Sequence, residues 1–232
     1  MSIKPGIYTD LDMKEYHADP ALSRSDIVRL NLSPLLYKEH IDQDKPEYRI
    51  GRALHALVLQ NIPIVINEND GRSKAGRNFQ IDNPDAVTPV MGEMINGMAK
   101  RCRPFFQEGQ AEVSFFWETD GIICKCRPDW ITPTIIYDFK TTRQSLEDFH
   151  WDIKKLCYDV QHAWYLRGVE QHIPIDTFRF VVVEKTVPHR VGIFELSNLE
   201  RAEDLIERGL AIYQTCQVAD TWDEPDMKVY RI

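Results

Sequence analysis

The chain has no run approaching the roughly 18 consecutive apolar residues that a membrane-spanning helix needs, so no membrane partner is expected. Its first residues, MSIKPGIYTD, lack the charged-then-apolar layout of a secretory leader, which points to a soluble, intracellular protein. Cysteine is scarce and irregular: Cys102, Cys124, Cys126, Cys157 and Cys216. Only Cys124 and Cys126 lie close, and same-face positions on one strand suit neither a disulfide nor a zinc cage. Reduced, mostly buried thiols are expected. Internal repeats and low-complexity tracts are absent as well.

Positive charge is also in deficit, with 28 Lys and Arg against 36 Asp and Glu. Taken whole, a net charge of −8 argues against a nucleic-acid partner. The deficit is local, however. Residues 200–227 hold Glu200, Glu203, Asp204, Glu207, Asp220, Asp223, Glu224 and Asp226 against Arg201 and Arg208. Residues 71–105 carry Arg72, Lys74, Arg77, Lys100, Arg101 and Arg103 against Asp82, Asp85 and Glu93. An anionic partner is therefore permitted there, although a solvated basic face explains the same letters. Within this stretch Arg72, Lys74 and Arg77 could grip phosphate.

What is present suffices for one core: 232 residues, 43% hydrophobic, suit a single domain. ALSRSDIVRL offers Ser23 or Ser25 as the N-cap of a short helix, and LSPLLYKEHI restarts one with Pro34 in its first turn. YRIGRALHALVLQ sets Ile50, Leu54, Leu57 and Val58 at helical spacing, with His55 inside the helix. Residues 61–89 lose periodicity and collect Asn, Asp, Gly and Pro, the mark of a long irregular segment that is functional or mobile. A helix resumes over residues 88–106. The period then changes to two: AEVSFFWETDGIICKCRPDWI predicts two strands joined through Thr119-Asp120-Gly121, and TIIYDFK a third. Leu146, Phe149, Ile153, Leu156, Val160 and Trp164 step by three or four, as one long helix or two abutting ones. TFRFVVVEK and RVGIFEL return to strand, and NLERAEDLIERGLAIYQ closes with an amphipathic helix. The order αβββαββα predicts one α/β (α+β) domain. It divides into an N-terminal helical layer (1–60), the irregular segment (61–89), a core (90–215) and an acidic tail (216–232). Trp130, Trp151 and Trp164 are expected in the core, although an aromatic near the site could stack on a frayed base, and His162 is expected off any functional face.

Candidate chemistry concentrates in YDFKTT, residues 137–142. Side chains two apart on a strand share a face, so Asp138 and Lys140 project together while Tyr137 and Phe139 project oppositely. Asp129 follows CRP where the preceding strand ends, and a proline there marks an edge or bulge that re-aims a side chain. Two carboxylates suit magnesium, which takes hard oxygen ligands together with phosphate and water, and an ammonium stabilises charge growing on phosphate. These are the parts of a phosphodiesterase. By itself Asp-x-Lys is equally a surface ion pair, and His55 a satisfied core histidine.

The set is more specific than its members: His55 in GRALH, Asp129 in CRPDW, Asp138 and Lys140 in YDFKTT, and Gln161 and Tyr165 one turn apart in YDVQHAWY. Together with YHADPALSRSDIVRLNLSPLLY, this order resembles the PD-(D/E)xK nuclease superfamily, in its His-bearing, Q-x-x-x-Y branch. Within that branch it looks most like the RecE-type (exonuclease VIII) nuclease domains and their phage relatives, over about residues 7 to 215.

The resemblance implies a restriction-endonuclease-like core, a central mixed sheet flanked by helices. It implies that Asp129, Asp138, His55 and the carbonyl of Phe139 bind Mg2+, with Mn2+ substituting. Lys140 would position or activate the attacking water, and Gln161 and Tyr165 would support Lys140 or the DNA backbone. Glu112 would open the first core strand, where an additional metal-binding acid or an ordinary lysine's partner are both open readings. The implied activity is a 5′ to 3′ exonuclease that resects duplex DNA ends for recombination, in the cytoplasm of a bacterium or phage-infected host. The implied partners are duplex ends, copies of the chain in a ring, a tetramer favoured, and a single-strand-annealing protein. The alternatives are an endonuclease or other polarity on the same core, or an inactive DNA-binding module. The complete acid-acid-lysine set speaks against the last.

Overall fold

The computed structural model describes residues 2–41 and 48–223. Among its described residues the N-terminal layer holds a short strand that periodicity did not reveal, β1 (Gly6–Tyr8), and the helices α1 (Met13–Ala18), α2 (Arg24–Leu32), α3 (Pro34–Lys38) and α4 (Arg49–Leu59). Of the two candidate caps for α2, Ser23 serves. Its backbone N–H donates to the Asp26 carboxylate at 2.8 Å, closing a capping box. Ser33 caps α3, with Pro34 in its first turn.

Residues 61–89 contain a helix where an irregular segment is expected, α5 (Lys74–Asp82). Its only buried residue is Gly76, so no apolar stripe advertises it. Gly76 is required there, because a Cβ would fall 2.1 Å from the Asp70 carbonyl oxygen. Next come α6 (Pro89–Cys102) and the strands β2 (Gln110–Ala111), β3 (Ser114–Thr119), β4 (Ile122–Cys126), β5 (Trp130–Ile131) and β6 (Ile135–Thr142). The Leu146–Trp164 periodicity resolves into two helices, α7 (Phe149–Lys155) and α8 (Tyr158–Val169), joined at Cys157 with φ 52°. Strands β7 (Thr177–Glu184) and β8 (Val191–Phe194) precede α9 (Glu200–Ala219). The first residues assigned to an acidic tail, 216–219, are therefore the end of α9, and 224–232 lie outside the described residues.

The central sheet is mixed, in the order β2-β5-β6-β7-β8, with β6 and β7 parallel and the other pairs antiparallel. The β3–β4 hairpin does not join it. It pairs with β1 in a separate antiparallel sheet, because Pro128 lacks an N–H and Glu112 turns left-handed at φ 52°, interrupting both chains between the sheets. The hairpin turns through Asp120 (φ 49°) and Gly121 (φ 77°), the positive dihedrals a two-residue turn between twisted strands requires.

Strand β7 is buried on both faces, as a parallel-type strand covered by helices must be. Phe178, Phe180 and Val182 enter one core with α2, α7, α8 and α9, while Val181 and Val183 enter a second with α4 and α6. Each fully buried side chain of this size contributes about 1.5–3 kcal/mol. Trp130 and Trp164 are buried as expected, but Trp151 is not. It lies on the outer face of α7, whose inner face is held by Phe149 and Ile153. All five cysteines are free thiols, and Cys157 alone is only half-buried. Among the described residues no helix is long and apolar enough to cross a membrane.

Candidate active site

Strand β6 pairs with β7 along its whole length, whereas β5 reaches only Ile136 and Tyr137. Beyond Tyr137 the β5 side of β6 is an open edge, and the backbone groups of Phe139 need other partners. They find two. The Asp129 carboxylate accepts from the Phe139 N–H at 2.7 Å, and His55 Nε2 meets the Phe139 carbonyl oxygen at 2.8 Å. The His55 ring stacks on the Phe139 ring, centroids 5.0 Å apart. Short β5 thus brings an acid from the turn after Pro128 and an imidazole from α4 onto one residue of β6.

A carbonyl only accepts, so His55 Nε2 carries the proton in that bond. In the neutral ring Nδ1 then bears a lone pair, and it faces the Asp129 carboxylate oxygen at 3.6 Å. A proton or a cation can be shared between these two atoms. Asp129 has its pKa raised by burial, with His55 pulling it down and the Asp138 charge pushing it further up.

On the opposite face, Asp138 and Lys140 project together as predicted and form an ion pair. Asp138 is nearly fully buried at 1% exposure, and Gln161 Nε2 donates to its Oδ2. Its Oδ1 takes the Lys140 ammonium. Lys140 also lies over the Tyr158 ring, 5.0 Å from the centroid. Burial lowers the lysine pKa, but the charges of Asp138 and Asp129 outweigh it and the net shift is upward, so the ammonium stays charged.

Gln161 and Tyr165, one turn apart on α8, line a cleft of about 800 Å³ whose far wall is the N-terminal layer. Tyr165 has its hydroxyl pKa raised mainly by burial, with Tyr16 and Asp138 adding to it. The cleft is also lined by Arg24, Arg29, Arg52 and Lys125. Sequence reasoning passed over these cations because α2 and α4 carry three of them and β4 the fourth; only the tertiary fold gathers them. Arg72, Lys74 and Arg77 instead lie exposed on and before α5, outside the residues lining the cleft. Glu112 does not open β3: it sits between β2 and β3, its N–H on the Asp129 carbonyl at 3.1 Å and its carboxylate 3.6 Å from Arg127. His162 is a core residue, stacked on Phe178 at 4.6 Å, and burial lowers its pKa to about 4.

Residues 40–227 match the family described as a PDDEXK-like domain of unknown function (DUF3799). Among solved structures the chain is similar to a protein from Eubacterium rectale described as a "Putative exonuclease", at 15% identity and a TM-score of 0.65, covering 94% of this chain and 96% of that one. At that identity the likeness concerns the fold. No curated protein matches the chain.

Proposed function

The chain belongs to the PDDEXK-like family, and from that premise we propose that it is a divalent-metal-dependent deoxyribonuclease acting on duplex DNA ends. The observation that carries this reading is the Asp138–Lys140 pair on one face of β6, with Asp129 bonded to the residue between them.

The donor chemistry suits a hard divalent cation. The Asp138 carboxylate is buried with its Oδ1 on the Lys140 ammonium, and Asp129 Oδ1 lies 3.6 Å from His55 Nδ1, so hard oxygen donors and one imidazole nitrogen flank Phe139. Asp129, Asp138 and His55 would hold the ion, with magnesium the working metal and manganese a substitute. Among the described residues no three His, Cys, Asp or Glu side chains already surround a common point. The site is closed on itself: His55 occupies the Phe139 carbonyl and Lys140 occupies Asp138. Loading therefore exchanges these internal contacts for the ion. Once bound, such an ion lowers the pKa of a coordinated water and neutralises charge developing on the scissile phosphate.

Lys140, kept charged by two carboxylates, supplies fixed positive charge to the pentacovalent phosphate and orients the attacking water. Gln161 holds Asp138 in place, and Tyr165 with the cleft cations receives the DNA backbone. The 5′ to 3′ polarity, the recombination role, handover to an annealing protein and a closed ring, a tetramer favoured, are supported by the resemblance to RecE-type nucleases. A ring would retain DNA topologically rather than through salt-sensitive phosphate contacts.

Duplexes labelled at the 5′ or 3′ end, incubated with Mg2+, Mn2+, Ca2+ or EDTA, test the reading. Label release from the 5′ end first, with magnesium or manganese alone, is expected; absence of any metal-dependent cleavage would overturn it. Light scattering that reports only monomer, together with distributive digestion under a DNA trap, would overturn the ring.

A further inference from the structure

Four of the five tryptophans, Trp117, Trp130, Trp164 and Trp222, are buried, whereas Trp151 is 63% exposed. It shares the outer face of α7 with Lys154 and Lys155, three and four residues on. Asp152 accepts from Gln144 Nε2 at 3.0 Å and lies 3.5 Å from the Thr142 hydroxyl, tying α7 to the end of β6. At that end Arg143 follows β6 and Lys185 follows β7, and the Lys185 N–H bonds the Thr142 carbonyl at 2.8 Å. Burial and the Arg143 charge both lower the Lys185 pKa, so the two cations are neighbours.

The nearby acids Glu147 and Glu184 are already held by Arg190. Among the described residues, the side chains of Arg143, Lys154, Lys155 and Lys185 make no ion pair or hydrogen bond. Lys154 and Lys155 share the outer face of α7 with the indole, and Arg143 and Lys185 lie at the end of β6 to which Asp152 ties that helix, so the rim as a whole favours an anion. The rim and the active site are joined through the core: Lys140 lies over the Tyr158 ring, and that ring stacks on Phe149, the buried first residue of α7.

We propose that this rim is a single-stranded DNA track beside the nuclease site, Trp151 stacking on an unpaired base while Arg143, Lys154, Lys155 and Lys185 hold the flanking phosphates. The proposal rests on the nuclease reading only for the identity of the strand. An unpaired strand fits better than a duplex because only an unstacked base offers its face to an indole. It fits better than a protein because a protein interface would leave the clustered cations without a repeating anion.

The test is anisotropy of a labelled oligothymidylate with the full chain in EDTA, where no cleavage occurs. Trp151→Ala should raise Kd roughly 5- to 100-fold, Trp151→Phe should retain most of the affinity, and duplex affinity should change little. The oligonucleotide should quench wild-type tryptophan fluorescence and leave that of Trp151→Phe unchanged, since the other indoles are buried. Wild-type affinity in a folded Trp151→Ala, or an affinity loss accompanied by a change of oligomeric mass, would overturn the proposal. Metal-dependent cleavage with Trp151-independent binding would overturn the track and leave the nuclease standing. Trp151-dependent binding without cleavage would do the reverse.

Discussion

Strand β6 carries two faces on one backbone. Toward α8, Asp138 and Lys140 form a buried pair steadied by Gln161 and the Tyr158 ring. Toward α4, the Phe139 ring is packed in an apolar core, and function reaches that side only through its backbone, bracketed by Asp129 and His55. The first face is preorganised charge; the second is a set of lone pairs that a proton or cation completes. Substitutions on the two faces should therefore fail differently.

The largest effect is expected on the α8 face. Asp138→Ala removes a proposed metal ligand and leaves half-buried Lys140 with Asp129 as its remaining counter-charge. Cleavage should fall about a thousandfold or more, and chemical denaturation should report a loss of about 1–3 kcal/mol, since Lys140 keeps Asp129 and partial access to solvent. On the α4 face the loss should be in metal binding and not in fold. His55→Ala should weaken manganese affinity by roughly a hundredfold in a metal titration while unfolding moves little. An unchanged metal dependence in the folded variant would make His55 a packing residue. Gln161→Leu is intermediate: it strips a donor from Asp138, costing about 1–3 kcal/mol and about tenfold in rate at saturating metal.

The smallest effect on cleavage belongs to His162, one residue from Gln161 but facing Phe178. Its folded pKa of about 4 lies below the unfolded value near 6.5. The unfolded ring therefore takes up a proton first as pH falls. Stability is full above about pH 6.5 and is lost through the window down to about pH 4, on the order of 3 kcal/mol in all. Urea unfolding of His162→Gln should show a shallower acid decline than wild type, with cleavage near neutrality unchanged.

Strand periodicity alone placed Asp138 and Lys140 on one face, and the Asp120-Gly121 turn and the Ser23 cap were legible for equally local reasons. The bracketing of Phe139 was not, because it depends on β5 stopping after Ile131 and exposing the β6 edge, a consequence of register between distant segments. Helix α5 escaped notice because its one buried residue is a glycine. Trp151 was misplaced because the periodicity of α7 marks which residues turn inward, and an outward aromatic breaks the rule that large apolar side chains follow it. The cleft cations Arg24 and Arg29 of α2, Arg52 of α4 and Lys125 of β4 come from three separate elements, so no linear pattern joins them.

The account stands or falls on Lys140. End-labelled duplex should be degraded by the wild-type chain with magnesium or manganese and not with EDTA. Lys140→Ala should lose two to three orders of magnitude in rate while still binding the same duplex in a metal-dependent way. Cleavage by Lys140→Ala at a rate near wild type would contradict it.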